Sequence, residues 1–340
     1  MWKFYYKPNK KIEPLKDEKI EKLALFKLEE LYNNAKDLLI PSDFLNNWDK
    51  VALYDPKGNV AKANAILISP EKGGYNLKNK LNDLTGKEWI KFTCSWFVFN
   101  ALKSDLDQEK ELTTMTENHP ATFSPTMISD FIKFFTKENQ IVFDPFMGIG
   151  STAEACARTN RIAYGTELNY EYYKIAIRRS SKFKDTIYNH DALKIKELNL
   201  PNIDFSISSP PYWDILNRST HKFRNEREKK SLDSKYSDDL NDLGNIDDYD
   251  NFLNLCSKVY FDIFDLLKPK AYVVIIIKNV KKNGKFYPLA WDLAKKLTDK
   301  YELKDEKIWI QDKVALAPYG YPFAWTSNIL HHYCLILRKN

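Results

Sequence analysis

Residues 208–213 read Ser-Ser-Pro-Pro-Tyr-Trp, directly after Ile203–Ile207, where apolar residues alternate as in a strand. An aromatic amine is a poor nucleophile because its lone pair is delocalised into its ring. Acceptors on its hydrogens, here Ser209 Oγ and the Pro210 carbonyl, would draw the nitrogen toward tetrahedral geometry and stabilise the positive charge that develops on it. Pro210 and Pro211 fix φ and present carbonyls without competing N–H donors. Tyr212 offers a face on which a base taken out of a duplex can stack. Taken alone, the tetrapeptide 209–212 also suits a rigid surface turn.

A second group stands upstream. Asp144-Pro-Phe-Met-Gly-Ile-Gly-Ser-Thr152 lies between a predicted strand, Ile141–Phe143, and a predicted helix, Thr152–Thr159, where a doubly wound sheet binds ligands. Gly148 and Gly150 permit a sharp turn and a close approach of backbone to ligand. Glu167 ends the next predicted strand, where an acid can take both ribose hydroxyls, and Asp191 ends the one after, where it can accept from an adenine amino group. A lone GxG turn occurs in many proteins without a nucleotide, so the weight rests on the spaced acids. The third glycine of a dinucleotide fingerprint is Ala153 here, and Asp144 would repel a pyrophosphate while suiting the ammonium of S-adenosylmethionine.

The segment 144–152 resembles the DPFxGxGxT motif of DNA amino-methyltransferases, and His119-Pro-Ala-Thr-Phe-Ser124 resembles the HPAxFP-type element that completes the methionine side of their cofactor pocket. The resemblance covers residues from about 118 to 340. It implies S-adenosylmethionine as cofactor, held by Thr122, Phe123, Asp144, Phe146, Gly148, Gly150, Thr152, Glu167 and Asp191, with Ser209, Pro210, Pro211 and Tyr212 as the catalytic group. Ser-Pro-Pro-Tyr is similar to the cytosine-N4 enzymes, whereas Asp or Asn in first place is more usual for adenine-N6. The implied reaction is methylation of the N4 amine of a cytosine flipped out of double-stranded DNA, in or near a restriction-modification system with a cognate endonuclease. Adenine N6, an RNA or protein amide, and a catalytically inactive DNA-binding subunit are the alternatives.

These residues need a parallel sheet beneath them. From about Asn118 the pattern alternates strand and helix, with predicted helices at Pro125–Thr136, Tyr170–Ser181, Tyr249–Leu267 and Pro288–Tyr301. Predicted strands fall at Arg161–Thr166, Thr186–Tyr188, Ile203–Ser208, Tyr272–Lys278, Lys307–Gln311 and His332–Arg338. The expected class is α/β, a Rossmann-like S-adenosylmethionine-dependent methyltransferase fold. Its mostly parallel seven-stranded sheet would close with an antiparallel hairpin, as residues 116–340 of the chain. Residues 1–115 differ in texture and read as an N-terminal α+β accessory region: a helix over Glu18–Leu39, strands at Val51–Tyr54 and Asn64–Ser69, and an aromatic-rich helix over Lys87–Ala101. Motif order resembles the γ arrangement, in which a recognition domain follows the core. Target recognition here is expected instead from 1–115, from a polar insertion at 214–248, or from a partner chain. Arg218, Lys222, Arg224 and Arg227 in that insertion could contact phosphates, and its second half is acidic. The aromatic segment Pro318–Trp325 precedes the last strand, where the catalytic face could receive it.

Composition fits this reading without carrying it. The 340 residues are 44% hydrophobic with a formal charge of +6, and the pI is near 8.8, a basic balance that suits a polyanionic partner. Cys94, Cys156, Cys256 and Cys334 form no CxxC or Cys/His cluster, so neither zinc nor a disulfide framework is indicated and a reducing cytoplasmic setting is expected. No apolar run is long enough to span a bilayer, and no membrane partner is expected.

Overall fold

A computed structural model describes residues 52–54, 65–69, 73–76, 79–100, 123–213, 242–313 and 315–340. The helix expected over 18–39 and the basic cluster of the 214–248 insertion lie outside these residues. The described residues fall into two compact units, one within Met1–Cys94 and Lys133–Glu138, the other within Ser95–Ile132 and Asn139–Asn340.

In the first unit, β1 (Ala52–Tyr54), β2 (Ala65–Ser69) and β3 (Gly73–Asn76) form an antiparallel sheet in that order, followed by α1 (Gly86–Phe92). Thr85 starts α1 with a capping box, its hydroxyl accepting from Glu88 N while the Glu88 carboxylate takes the Thr85 N–H. Phe92 stacks on Phe134 at 4.1 Å between centroids, and Asn82 Nδ2 donates to Phe134 O at 2.6 Å.

The expected helix over Lys87–Ala101 is corrected here. It stops at Phe92, where the Thr93 hydroxyl donates to Ile90 O at 2.7 Å and closes the last turn. Trp96–Val98, made of β-favouring residues, forms β4 in the second unit, paired parallel to a strand far along the chain. This unit begins at Ser95.

The second unit continues with α2 (Pro125–Phe135), whose residues from Lys133 on belong to the first unit, then β5 (Ile141–Asp144), α3 (Ser151–Arg158), β6 (Ile162–Glu167), α4 (Tyr170–Arg179), β7 (Ile187–Asn189) and β8 (Ile203–Ser208). After these come α5 (Tyr249–Leu266), β9 (Leu267–Ile277), the hairpin β10 (Val280–Lys282) and β11 (Lys285–Tyr287), α6 (Leu289–Leu297), β12 (Glu302–Ile310) and β13 (His331–Arg338). One eight-stranded sheet runs β4-β12-β13-β9-β8-β5-β6-β7. Strands β5 to β9 are parallel to their neighbours among themselves, and β13 is antiparallel to both β9 and β12. This is the expected α/β methyltransferase sheet with its closing hairpin, extended by β4.

The central strands are buried on both faces, which is why β5 and the second half of β9 read as near-continuous apolar runs; Val142, Phe143, Phe205, Ile207 and Val273–Ile277 have no exposed surface. Helix α5 lays one stripe on the sheet, burying Phe252, Cys256, Val259, Tyr260 and Ile263 at helical spacing, and Asp248 caps it by accepting from Asn251 N at 2.7 Å. Tyr260 reaches the end of β8, where its hydroxyl and that of Ser208 share a hydrogen bond of 2.9 Å.

β5 and β8 are adjacent, with Phe143 beside Ser206, yet the chain leaves β5 toward β6 and leaves β8 toward β9 on the other side. Their C-terminal ends form the switch point of the sheet, the place where such folds bind ligands. Filling the sheet beneath that point is energetically demanding. Phe205→Ala, which removes a fully buried ring from β8, should lower the unfolding free energy by about 3–5 kcal/mol in a urea titration. Tyr260→Phe, which leaves the buried Ser208 hydroxyl without its partner, should cost about 1–3 kcal/mol.

Candidate active site

A cleft of about 1070 Å³ opens at the switch point. Of the residues expected to bind cofactor, Phe123, Asp144, Phe146, Gly148, Thr152, Glu167 and Asp191 line it, as do all four of Ser209, Pro210, Pro211 and Tyr212. Thr122, Arg218, Lys222, Arg224 and Arg227 lie outside the described residues. Gly150 does not line the cleft: it caps α3 with φ of 90°, and a Cβ there would meet Ala176 Cα at 3.0 Å. Only glycine lets α3 begin so close to α4.

The glycine loop is tied down by the two acids expected to hold ligand. Asp144 Oδ1 accepts from Phe146 N at 2.9 Å and Oδ2 from the Thr152 hydroxyl at 2.5 Å, so Thr152 acts on the cleft through Asp144. Glu167 Oε2 accepts from Gly148 N at 2.7 Å and Oε1 from Asn169 N at 2.8 Å. Burial raises the Asp144 carboxyl to about 7 against these hydrogen bonds. Glu167 rises to about 7 for the same reason, with Asp242 and Asp144 adding repulsion. Asp191 accepts from Leu193 N at 2.8 Å and so holds the turn after β7.

Asp242 comes from the acidic second half of the 214–248 insertion. Asp242 is buried, accepts from Gly244 N at 2.8 Å, and lines the cleft together with Leu243. The Asp-Leu-Gly-Asn turn signature at 242–245 was the signal that could have placed it. The cleft thus carries four carboxylates, Asp144, Glu167, Asp191 and Asp242, and no lysine, arginine or histidine among the described residues lining it. Such a wall disfavours phosphates and favours a cationic ligand with hydroxyl and amino donors. S-adenosylmethionine, with its sulfonium, ammonium, ribose hydroxyls and adenine amine, fits that donor set.

At the other end of the cleft, Ser209 Oγ donates to Tyr212 Oη at 3.3 Å. Donation in that direction leaves the serine oxygen's lone pairs to act as acceptors. Trp213 pins the segment after it: its indole N–H donates to Asp247 O at 3.1 Å, and its ring packs edge-on against Tyr249 and Tyr287 at 4.8 and 4.7 Å. Behind Tyr212 stands His332, at 5.9 Å between centroids, itself stacked on Trp309 at 4.3 Å. Phe123 closes this wall 5.5 Å from Trp309. Burial pushes the His332 imidazole down to about 3, so it stays neutral. Trp309 and His332 were missed in the sequence because they meet as a cross-strand pair, and register between distant strands leaves no local signal.

A family model described as DNA methylase matches residues 4–178, from the N-terminal region through the glycine loop and Glu167. The chain belongs to this DNA methylase family. The match reaches well upstream of residue 118, where the recognisable motifs begin. Among curated relatives, the chain is similar to the orphan methyltransferase M.BamHII of Bacillus amyloliquefaciens, 38% identical over 168 residues, 49% of this chain and 56% of that protein. It is also similar to the type II methyltransferase M.BglII of Bacillus subtilis, 33% identical over 119 residues, 34% of this chain and 30% of that protein. The match thus spans about half the length of the first relative and less of the second. Among solved structures it is similar to TrmN from Thermus thermophilus, with a TM-score of 0.40 and 14% identity over 64% of this chain and 48% of that one. A methyltransferase from Pyrococcus furiosus gives 0.40 and 16% over 70% and 98%.

The raised carboxyls of this DNA methylase family member predict a pH dependence. Asp144 keeps its proton up to about pH 7 when folded but only to about pH 4 in an unfolded chain. Between those limits the folded state binds more protons, so this group's stabilising contribution, full at acid pH, is lost as pH rises through 7. Asp144→Asn keeps the acceptor for Phe146 N and removes the buried charge. Its melting temperature should exceed that of the wild type at pH 8 and converge with it near pH 5, while S-adenosylmethionine binding measured by calorimetry is lost.

Proposed function

We propose that this chain transfers a methyl group from S-adenosylmethionine to the exocyclic N4 amine of a cytosine rotated out of double-stranded DNA. The observation that carries the reading is the meeting of two loops from adjacent strands: the glycine loop after β5, in a cleft whose charged lining residues are all acids, and the Ser-Pro-Pro-Tyr segment after β8 line one space. Asp144 would hold the cofactor's ammonium, Glu167 its ribose hydroxyls and Asp191 its adenine amine, with Phe123 and Phe146 as walls and Gly148 and Gly150 shaping the loop. When bound, S-adenosylmethionine supplies a methyl group already activated by its sulfonium.

The protein's part is to hold and polarise the amine. Ser209 Oγ and the Pro210 carbonyl accept its hydrogens, which localises the nitrogen lone pair and stabilises the charge that grows on it during transfer. Tyr212, braced by His332, holds the pyrimidine ring by its face. A neutral His332 presents an aromatic surface to Tyr212 without adding a cation beside a nitrogen that is becoming positive. Alignment of the two reacting groups provides most of what remains, and no metal is required. The basic residues Arg218, Lys222, Arg224 and Arg227 are assigned phosphate contacts, residues 1–115 contribute to target recognition, and a cognate restriction endonuclease is the expected partner.

Expression in a methylation-free host, followed by sequencing with base-modification detection, tests the reading. The expected result is N4-methylcytosine within one short motif. N6-methyladenine would move the target to adenine, and unmodified DNA would refute DNA methylation altogether. Ser209→Ala should reduce transfer of labelled methyl groups by about 100-fold with cofactor affinity unchanged.

A further inference from the structure

The twenty-residue interval between β12 and β13 contains an ordered loop whose rings face away from the protein. Asn328 clasps its base, donating from Nδ2 to Ala317 O at 2.8 Å and accepting at Oδ1 from Ala317 N at 3.0 Å. Lys281 Nζ, from the β10–β11 hairpin, holds the same end through Ser327 O at 2.5 Å and Thr326 Oγ1 at 3.2 Å. Within the loop, Phe323 N and Ala324 N both donate to Gly320 O, at 2.8 and 2.7 Å. The backbone is therefore fixed by its own bonds. Its aromatic side chains are not packed: Tyr319 is 59% exposed, Tyr321 81%, Trp325 88% and Phe323 95%. The rings of the aromatic segment 318–325 project into solvent.

Its position gives that exposure a purpose. β12 runs parallel to β9, since both are antiparallel to β13, and β9 runs parallel to β8. The loop therefore rises from the same edge of the sheet as Ser209–Tyr212. His332, two residues past the loop's last residue, Leu330, lies 5.9 Å from Tyr212. Residues 313–340 contain no aspartate or glutamate, and neither do residues 266–291, which carry Lys278, Lys281, Lys282 and Lys285. Rings beside the exposed Lys285, on two chain stretches that contribute no carboxylate, complement stacked bases between phosphates, although Lys282 is paired with Asp247. Four exposed rings in a fixed loop form a large apolar patch, and such patches mark contact sites.

We infer that the loop Leu316–Trp325 is a wedge that inserts an aromatic side chain, Phe323 or Trp325, into the duplex beside the base that the cleft receives. This rests on the reading of the cleft as a site for a base drawn from duplex DNA. Extracting that base breaks its stacking, and a ring that takes over the vacated position offsets the loss. The wedge acts on extrusion of the base and leaves methyl transfer itself unaffected.

The motif returned by sequencing supplies the probe, a short synthetic duplex with the target base either correctly paired or mispaired. A Phe323→Ala/Trp325→Ala double variant truncates only exposed rings, so its melting temperature and S-adenosylmethionine affinity should match the wild type. On the paired duplex its kcat/KM should fall by about tenfold or more. On the mispaired duplex, where the base is already loosened, most of that loss should be recovered. Equal losses on both duplexes would mean general binding rather than a wedge, and an undiminished rate on the paired duplex would also overturn the inference, whatever happens to the protein's self-association. Failure of the underlying reading shows separately, as wild-type protein that labels neither duplex.

Discussion

Everything the site does depends on β5 and β8 lying side by side while their chains depart in opposite directions. A loop leaving one strand must swing away from a loop leaving the other, and the space between them cannot be filled by either. That vacancy is a property of sheet topology, set before any side chain is chosen. The sequence then decorates it asymmetrically, with glycines after β5, acids at the ends of β5 and β6 and just after β7, and prolines and a tyrosine after β8. Each loop is braced from outside the cleft, by Thr166 donating to Pro145 O at 2.8 Å on one side and by the Trp213 ring cluster on the other.

Two of the carboxylates in this space, Asp144 and Glu167, are costly for the protein to bury. Burial holds Asp144 and Glu167 near neutrality, and backbone N–H groups offset only part of that cost. A ligand bringing positive charge restores both carboxylates to their ionised form and recovers what burial took away. The same wall that welcomes a sulfonium compound keeps out nucleotides with phosphates, so selectivity against the commonest adenosine-containing ligands comes from charge before shape. At the other end of the cleft the residue beside Tyr212 is the neutral Ser209 and not another carboxylate, so the field weakens there.

Much of this was legible in the sequence because its physics is local. Strands such as β5, β9 and β13 announce themselves as apolar runs and β8 by its alternation, and the loops that follow β5 and β8 carry their chemistry in consecutive residues. Reading failed where the determining contact lies far along the chain. Trp96–Val98 becomes a strand only because β12 accepts it, and the first half of β12, Glu302–Glu306, is an exposed polar edge without alternation. The pairing of Trp309 with His332 depends on register. A different failure concerns the β10–β11 hairpin: Asn283-Gly284, with φ of 51° and 75°, is a strong turn signal that was present and passed over.

The placement of β13 also has a consequence for how the protein is made. β13 follows β12 in the chain but lies between β12 and β9 in the sheet, so β12 and β4 have no edge to join until it arrives. A nascent polypeptide can assemble the strands from β5 to β9, with both ligand loops, while β12 is still waiting for its neighbour. During that interval the edge of β9 is open and the rings of Trp309 and His332 are apart. The support behind Tyr212 is therefore among the last parts of the fold to be built, and commitment to a working enzyme is delayed until β13 has been inserted.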